Sequence, residues 1–158
     1  MPILEKDLIS ARTAWGNRLL QISRSFETEG IEMARKVASN MLDTLYGYDL
    51  GQVLFKPTLS GGSQTFRPTK EGALSYYTGQ NSVYPNDIGF GVKSWREFNS
   101  NTSAIFIDDT VAMWMGSVTL IDKDGQVTKV DKSWGYKLDG NGNLRIVLHH
   151  SSLPYEIK

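Results

Sequence analysis

The chain of 158 residues carries 17 basic and 17 acidic side chains, a formal net charge of zero, 40% hydrophobic residues and no cysteine. That length suits one globular domain, expected over 1–158, and the absence of any basic run removes the footprint of a nucleic-acid binder. Lacking cysteine, the sequence has no disulfides, thiolate nucleophiles or cysteine-ligated zinc, and the charges scattered through MPILEKDLIS and every later apolar stretch argue against a signal peptide or membrane span, which makes the cytoplasm the expected address.

In chain order, Leu4, Leu8, Ala11, Trp15, Leu19, Ile22 and Phe26 recur at three- and four-residue steps and predict an amphipathic helix. Gly30 interrupts, and Ile31, Ala34, Ala38, Met41 and Leu45 predict a second helix that ends at Tyr46-Gly47-Tyr48. QVLFKPT (52–58) reads as a short strand stopped by Pro57, LSGGSQ as a loop, and Thr69 as the cap of a short helix reaching about Tyr77. From Gly89 the period changes to two. GFGVKSWREF, SAIFID, TVAMWMGSVTLI, VTKVDKSWGYKL and NLRIVLHH read as strands separated by Asn-Ser-Asn, Asp-Asp-Thr, Asp-Lys-Asp-Gly and Asp-Gly-Asn-Gly turns. Connections this short force antiparallel neighbours, so the expected fold is α+β, a curved antiparallel sheet wrapped around N-terminal helices. Within 111–121 both alternating sets are largely apolar, which predicts a covered outer face; a second copy in a homodimer is the expected cover, and the loop 57–69 the alternative.

The helical first half, the meander and the ending NLRIVLHHSS resemble the NTF2-like (cystatin-like) superfamily, and within it the SnoaL-like group and the association domain of calcium/calmodulin-dependent protein kinase II. Gly142, Leu144, Ile146, Val147, His149, His150, Ser151 and Ser152 carry the resemblance. Leu144 stands where that pattern has Trp, and Ser151 where the kinase association domain has Arg, so no anion-binding arginine is implied there. VLFKPT, FRPT and GALSYYTG together with LHHSSLPY also resemble a bacterial and algal subset of unknown role. Some of its members bear a phosphoribosyl-AMP cyclohydrolase label, whose cysteine-ligated metal chemistry this cysteine-free chain could not perform.

Both histidines lie in one strand. Adjacent strand residues face opposite ways, so His149 travels with Arg145, Val147 and Ser151, and His150 with Leu144, Ile146 and Leu148. The two rings cannot share a metal, and no metal or cofactor is expected. The more apolar set should face the helices, which places His150 inside as the candidate acid–base group and His149 outside. Asp131 would orient His150 if a four-residue Asp139–Gly142 connection paired Leu138 with Asn143; a three-residue loop would separate them, and otherwise Asp131 is solvated beside Lys132. Trp95, Trp134, Tyr136 and Tyr76 are candidate linings of an apolar pocket, or ordinary core, and Lys56 and Arg67, flanking the Gly-Gly loop, are candidate contacts to an anionic ligand, or solvated loop charges. Asp108-Asp109, DKDGQ and DGNGN read as hairpin turns rather than as carboxylate pairs or calcium loops.

Three functions are compatible with these readings. The expected one is a homodimeric module that binds a small apolar or aromatic molecule inside the cone, with no nucleic-acid or membrane partner. The alternatives are a cofactor-independent isomerase, dehydratase or hydrolase using His150, and an assembly module.

Overall fold

The computed structural model describes residues 2–158; Met1, the first residue of the expected 1–158 span, lies outside them. Helix α1 (Glu5–Glu29) starts where the Asp7 carboxylate accepts the Leu4 N–H at 2.8 Å, and it buries Leu8, Trp15, Leu19 and Ile22 of the predicted stripe. Gly30, at φ 91°, ends α1 by donating its N–H to Phe26 and lets the chain turn directly into α2 (Ile31–Leu45), which buries Ala34, Val37, Ala38, Met41 and Leu42. Strand β1 (Leu54–Lys56) and helix α3 (Lys70–Thr78) follow, α3 capped as predicted by the Thr69 hydroxyl, which accepts the Gly72 N–H at 3.3 Å.

Four long strands complete the chain: β2 (Trp95–Ile107), β3 (Val111–Asp122), β4 (Val127–Leu138) and β5 (Leu144–Ser152). The sheet order is β1-β5-β4-β3-β2, antiparallel except for β1, which runs parallel to β5. The α+β architecture is as expected, but two local readings change. GFGV is a turn of 3-10 helix at Phe90–Val92, and Asn99-Ser100-Asn101 is no turn but the middle of β2. The alternation runs through those polar residues because the inner ones have partners on α1: the Phe98 ring sits 5.7 Å from that of Trp15, and the Ser100 hydroxyl accepts from Arg12 Nε at 3.1 Å.

The decisive irregularity lies in β5. Tyr136 pairs with Ile146, but Gly135 pairs with Leu148, so Val147 is an extra residue, a β-bulge. The connection ahead of it spans Asp139–Asn143 and sets Leu138 opposite Leu144 rather than Asn143. Up to Ile146 the expected parity holds; beyond Val147 it inverts. His149 and Ser151 are therefore buried, at 1% and 0% exposure, whereas His150 is exposed. This reverses the predicted facing of the two histidines: a two-residue period carried Leu144, Ile146, Leu148 and His150 along one stripe, and a one-residue bulge breaks that stripe after Ile146.

On the outer face, Met113 and Met115 of β3 and Phe106 of β2, which lies opposite Met113, are exposed. The loop 57–69 does not cover them; it lies against α3 and β1, where Leu59 N–H donates to Tyr76 Oη and Arg67 N–H to the Phe55 carbonyl.

Gly135 faces the bulge from β4, and a Cβ there would meet Leu148 Cβ at 2.9 Å. Gly135→Ala should therefore destabilise the protein by about 1–3 kcal/mol, as overpacking does, measured as a shift in the denaturant midpoint; an unchanged midpoint would show that the bulge absorbs a methyl group.

Candidate functional site

Because β5 inverts at Val147, His149 meets the inner face of β4, where Val130, Lys132, Trp134 and Tyr136 form one buried stripe. The imidazole is packed on every side by rings. Phe55 of β1 stacks on it at 4.7 Å between centroids, and Trp134, Trp15 and Tyr46 lie at 5.1, 5.7 and 5.9 Å. Both ring nitrogens are nonetheless satisfied: Nδ1 lies 2.8 Å from Tyr46 Oη, and Nε2 lies 2.8 Å from Lys132 Nζ.

Lys132 is 4% exposed and has no carboxylate within ion-pairing distance among the described residues. Its ammonium nitrogen lies 4.8 Å from the Trp15 ring centre and 5.5 Å from that of Trp134, and it donates to Ser151 Oγ at 3.0 Å. Burial, and then the charge of Lys56, lower its pKa to about 7. At His149 burial acts in the same sense, reinforced by Lys132 and His150, and holds the ring well below the usual histidine range and so neutral. The pair thus meets neutral pH with one accessible proton on Lys132, not on the imidazole.

Two hydrogen-bond chains leave this centre. Inward, Tyr46 Oη lies 2.7 Å from Tyr77 Oη, and Trp15 Nε1 donates to both phenols at 3.1 and 3.3 Å. Burial pushes both phenols up, so they carry protons without ionising. Outward, Ser151 Oγ and Thr58 Oγ1 are 2.6 Å apart, and Lys56 Nζ donates to the Ser151 carbonyl at 2.9 Å. Thr58 is half-buried and stands beside Tyr76, whose phenol is held up by burial against hydrogen bonds from Leu59 and Thr58. A neutral imidazole has two arrangements here. In one, Tyr46 donates to Nδ1 and Nε2–H donates to an unprotonated Lys132; in the other, Lys132 donates to Nε2 and Nδ1–H donates to Tyr46. The array can pass a proton between the half-buried Thr58 hydroxyl and its interior.

The predicted site residues divide. Lys56 and Tyr76 border this array, and Trp134 forms part of its wall. Tyr136 is core, its hydroxyl and the Trp134 indole N–H without hydrogen-bond partners among the described residues. Trp95 is also core, donating through Nε1 to the Phe90 carbonyl at 2.7 Å. Arg67 is not a solvated loop charge but 2% exposed, and its fork is closed on Asp87 at 2.7 and 2.8 Å. His150 and Asp131 do come together, on the outer face: both border an open hollow of about 630 Å³ with Ser117, Ser133 and Met115. The pairing is not the one expected, since His150 lies opposite Ser133 and Asp131 opposite Ser152. The sequence reading missed Thr58, Tyr46, Tyr77, Lys132, His149 and Ser151 as a group. One signal was present: Lys132 interrupts the alternating set Val130, Trp134, Tyr136, and a lysine inside an apolar strand stripe requires a reason.

No helix among the described residues is long and apolar enough to cross a membrane, and no group of three or more His, Asp or Glu gathers there to hold a metal.

Residues 6–153 match the family described as metal-independent carbonic anhydrase. A metal-independent carbonic anhydrase from Nostoc sp. is 45% identical over 154 residues, 98% of this chain and 75% of that protein. The crystal structure of a cyanobacterial iota-carbonic anhydrase complexed with bicarbonate superposes with a TM-score of 0.97 at 44% identity, covering 99% of this chain and 95% of that one. A calcium/calmodulin-dependent protein kinase II association-domain structure from Xanthomonas campestris, at 23% identity and a TM-score of 0.63, covers 95% and 87% and shows the shared NTF2-like fold. These matches overturn the expectation of a binding module of unassigned role with an apolar pocket. The interior agrees with the correction, for Trp15, Trp114, Trp134, Tyr46, Tyr77 and Phe55 fill the cone instead of lining a cavity.

A lysine whose folded pKa lies below its unfolded value opposes folding while protonated. The unfolded chain then binds more protons than the folded one between pH 7 and about 10.5, so stability rises with pH across that window, by at most about 1.4 kcal/mol per pH unit. Lys132→Met should be more stable than the native chain near pH 6 and should lose this slope; parallel denaturation curves for the two proteins from pH 6 to 10 would contradict the buried, low-pKa amine.

Proposed function

The chain belongs to the metal-independent carbonic anhydrase family, and we propose from that premise that it hydrates CO2 to bicarbonate at the Thr58–Ser151–Lys132–His149 array. The observation that supports this most is the buried Lys132 amine: a base with a pKa of about 7, adjoining hydroxyls that lead to the half-buried Thr58, in a chain 44% identical to a protein solved with bicarbonate.

Each element has a task. CO2 is apolar and linear, and the rings of Phe55 and Tyr76, 6.0 Å apart, offer it a surface that water does not compete for. A water held by the Thr58 and Ser151 hydroxyls lies within one hydrogen bond of the unprotonated Lys132 amine. As the water oxygen attacks carbon, Nζ takes its proton, and one C=O electron pair moves onto the oxygen that becomes negative. The hydroxyls and the nearby Lys56 cation donate to that oxygen as its charge develops. The product anion then lies among donors and no carboxylates, and leaves as Lys132 returns its proton to buffer. His149, neutral throughout, fixes the amine and lends its own proton through the Tyr46 arrangement.

The same proposal takes 1–158 as one cytoplasmic domain that pairs with a second copy through the exposed outer residues Phe106, Met113 and Met115. Met115→Asp should shift sedimentation from dimer to monomer, and a monomeric native protein at tens of micromolar would end that part of it (roughly the range in which a stable dimer persists).

For the chemistry, CO2 hydration followed by stopped flow should survive exhaustive chelation. The rate should rise with pH through about 7, because the reacting form of Lys132 is the deprotonated one. Ser151→Ala and Thr58→Val should each lower kcat/KM by about 10²-fold, the usual scale for removing one positioned hydrogen-bonding group, while His150→Ala should leave it unchanged. Native protein with no hydration above buffer would overturn the assignment.

A further inference from the structure

A primary amine that is buried, unpaired with any carboxylate and placed where CO2 is taken to enter has a second reaction open to it besides accepting a proton. We propose that Lys132 is itself a CO2-binding residue, forming a reversible carbamate on Nζ. This rests on the preceding reading only in that CO2 reaches the array.

The geometry supplies what the adduct needs. When Lys132 donates one N–H to His149 Nε2, 2.8 Å away, and another to Ser151 Oγ, 3.0 Å away, its lone pair is directed elsewhere and is free. That lone pair forms an N–C bond to CO2, and one C=O electron pair moves onto oxygen. The N–H proton transfers to Nε2 and leaves to buffer, giving R–NH–COO⁻ and H⁺ with nothing oxidised or reduced. The new carboxylate puts a negative charge where the reacting amine was neutral, in surroundings that favour it: the Ser151 and Thr58 hydroxyls are donors, Lys56 is a cation bonded to the same Ser151, and neither lysine has a carboxylate partner among the described residues. Exposed lysines lack this setting and stay protonated at neutral pH, without a lone pair to react, whereas burial lowers the Lys132 pKa to about 7 and leaves a substantial fraction of the amine unprotonated there. A carbamate also withdraws the base that hydration uses, so the substrate at high concentration would slow its own conversion.

The test uses the whole native protein. It is equilibrated with 13C-labelled CO2 and bicarbonate near pH 7.5, alkylated with triethyloxonium to fix any carbamate as its ethyl ester, and mapped by peptide mass spectrometry, with 13C NMR of the unalkylated sample in parallel. The expected result is the labelled adduct on Lys132 at about tenfold or more the level on any exposed lysine, a conservative reading of their difference in unprotonated fraction. The matching 13C carbamate resonance should disappear in Lys132→Arg and in Lys132→Gln, each checked for native near-ultraviolet circular dichroism. No adduct at Lys132 and no resonance in the native protein, or labelling spread evenly over the lysines, would overturn the proposal. Hydration measured on the same samples separates the two readings: an adduct without hydration keeps this inference and removes the enzyme, and hydration without an adduct does the reverse.

Discussion

One extra residue in β5 determines what the rest of the site can be. Were Val147 paired in the ladder, His150 would enter the cone and His149 and Ser151 would face outward, leaving Lys132 opposite groups that could not reach it. With Val147 bulged, Ser151 lies directly across from Lys132, and His149 across from Trp134. The bulge is held from both sides. On β4 it opposes Gly135, whose missing side chain leaves room for Leu148. On the helical side, Tyr46 bridges to Ile146, and Arg145 ties β5 to the end of α2 through the Asp43 and Tyr46 carbonyls, to the following turn through Asp49 and to the β4–β5 connection through Asp139. A register fixed at both ends of a one-residue irregularity has no cheap slip, because shifting it exposes Ile146 and buries a ring with no partner.

The consequence for Lys132 is electrostatic. Several kcal/mol oppose keeping an ammonium in a low-dielectric interior unless an anion meets it, and here the neighbours are two indole faces, an imidazole and a hydroxyl. Three arginines are buried as well, and Arg12, without an ion pair among the described residues, donates to Ser100 and lies 4.8 Å from the Trp114 ring centre. Arg67 has Asp87, and Arg145 has Asp49 and Asp139. Arg67 and Arg145 have their charge matched, and a guanidinium such as Arg12 keeps its proton in any case; Lys132 is the buried cation that can lose its proton near neutral pH.

The legibility of the sequence follows the range of the forces involved. Helices α1 and α2, the Thr69 cap, the long strands and the α+β class rest on periodicity and local turn chemistry, and all were readable. The parallel pairing of β1 with β5 was not, since Leu54–Lys56 and Leu148–His150 are almost a hundred residues apart and nothing local links them. The site itself was half visible. His149 and Ser151 were recognised as sharing a face, but a bulge has no periodic signature, so the face was assigned wrongly and Asp131 was recruited to a histidine on the wrong side. Neither reading of Arg67, as a contact to an anionic ligand or as a solvated loop charge, anticipates Asp87, because that partner lies in a segment with no regular structure to place it. Lys132 is masked in the sequence by its charged neighbour Asp131, which makes the pair look solvated although Lys132 belongs to the Val130–Trp134–Tyr136 stripe.

Hydrating CO2 at neutral pH requires a water that behaves as a stronger base than water is. A bound zinc ion achieves this by lowering the pKa of its water from about 15.7 to near 7. On the proposed reading this chain moves the same pKa match from the nucleophile to the base: the water keeps its ordinary acidity, and the amine beside it is tuned to about 7. A base that weak cannot generate free hydroxide in a separate step, because a gap of more than eight units separates it from water, roughly 12 kcal/mol at about 1.36 kcal/mol per unit. Proton transfer must therefore accompany C–O bond formation, when the attacking oxygen has already become acidic. That timing calls for the water, the carbon and Nζ to be aligned before reaction rather than during it. Burial of the imidazole and the amine is then not incidental to the chemistry: the dry, ring-walled setting that lowers the amine's pKa also holds it still, through His149 and Ser151, at the place where the proton is released.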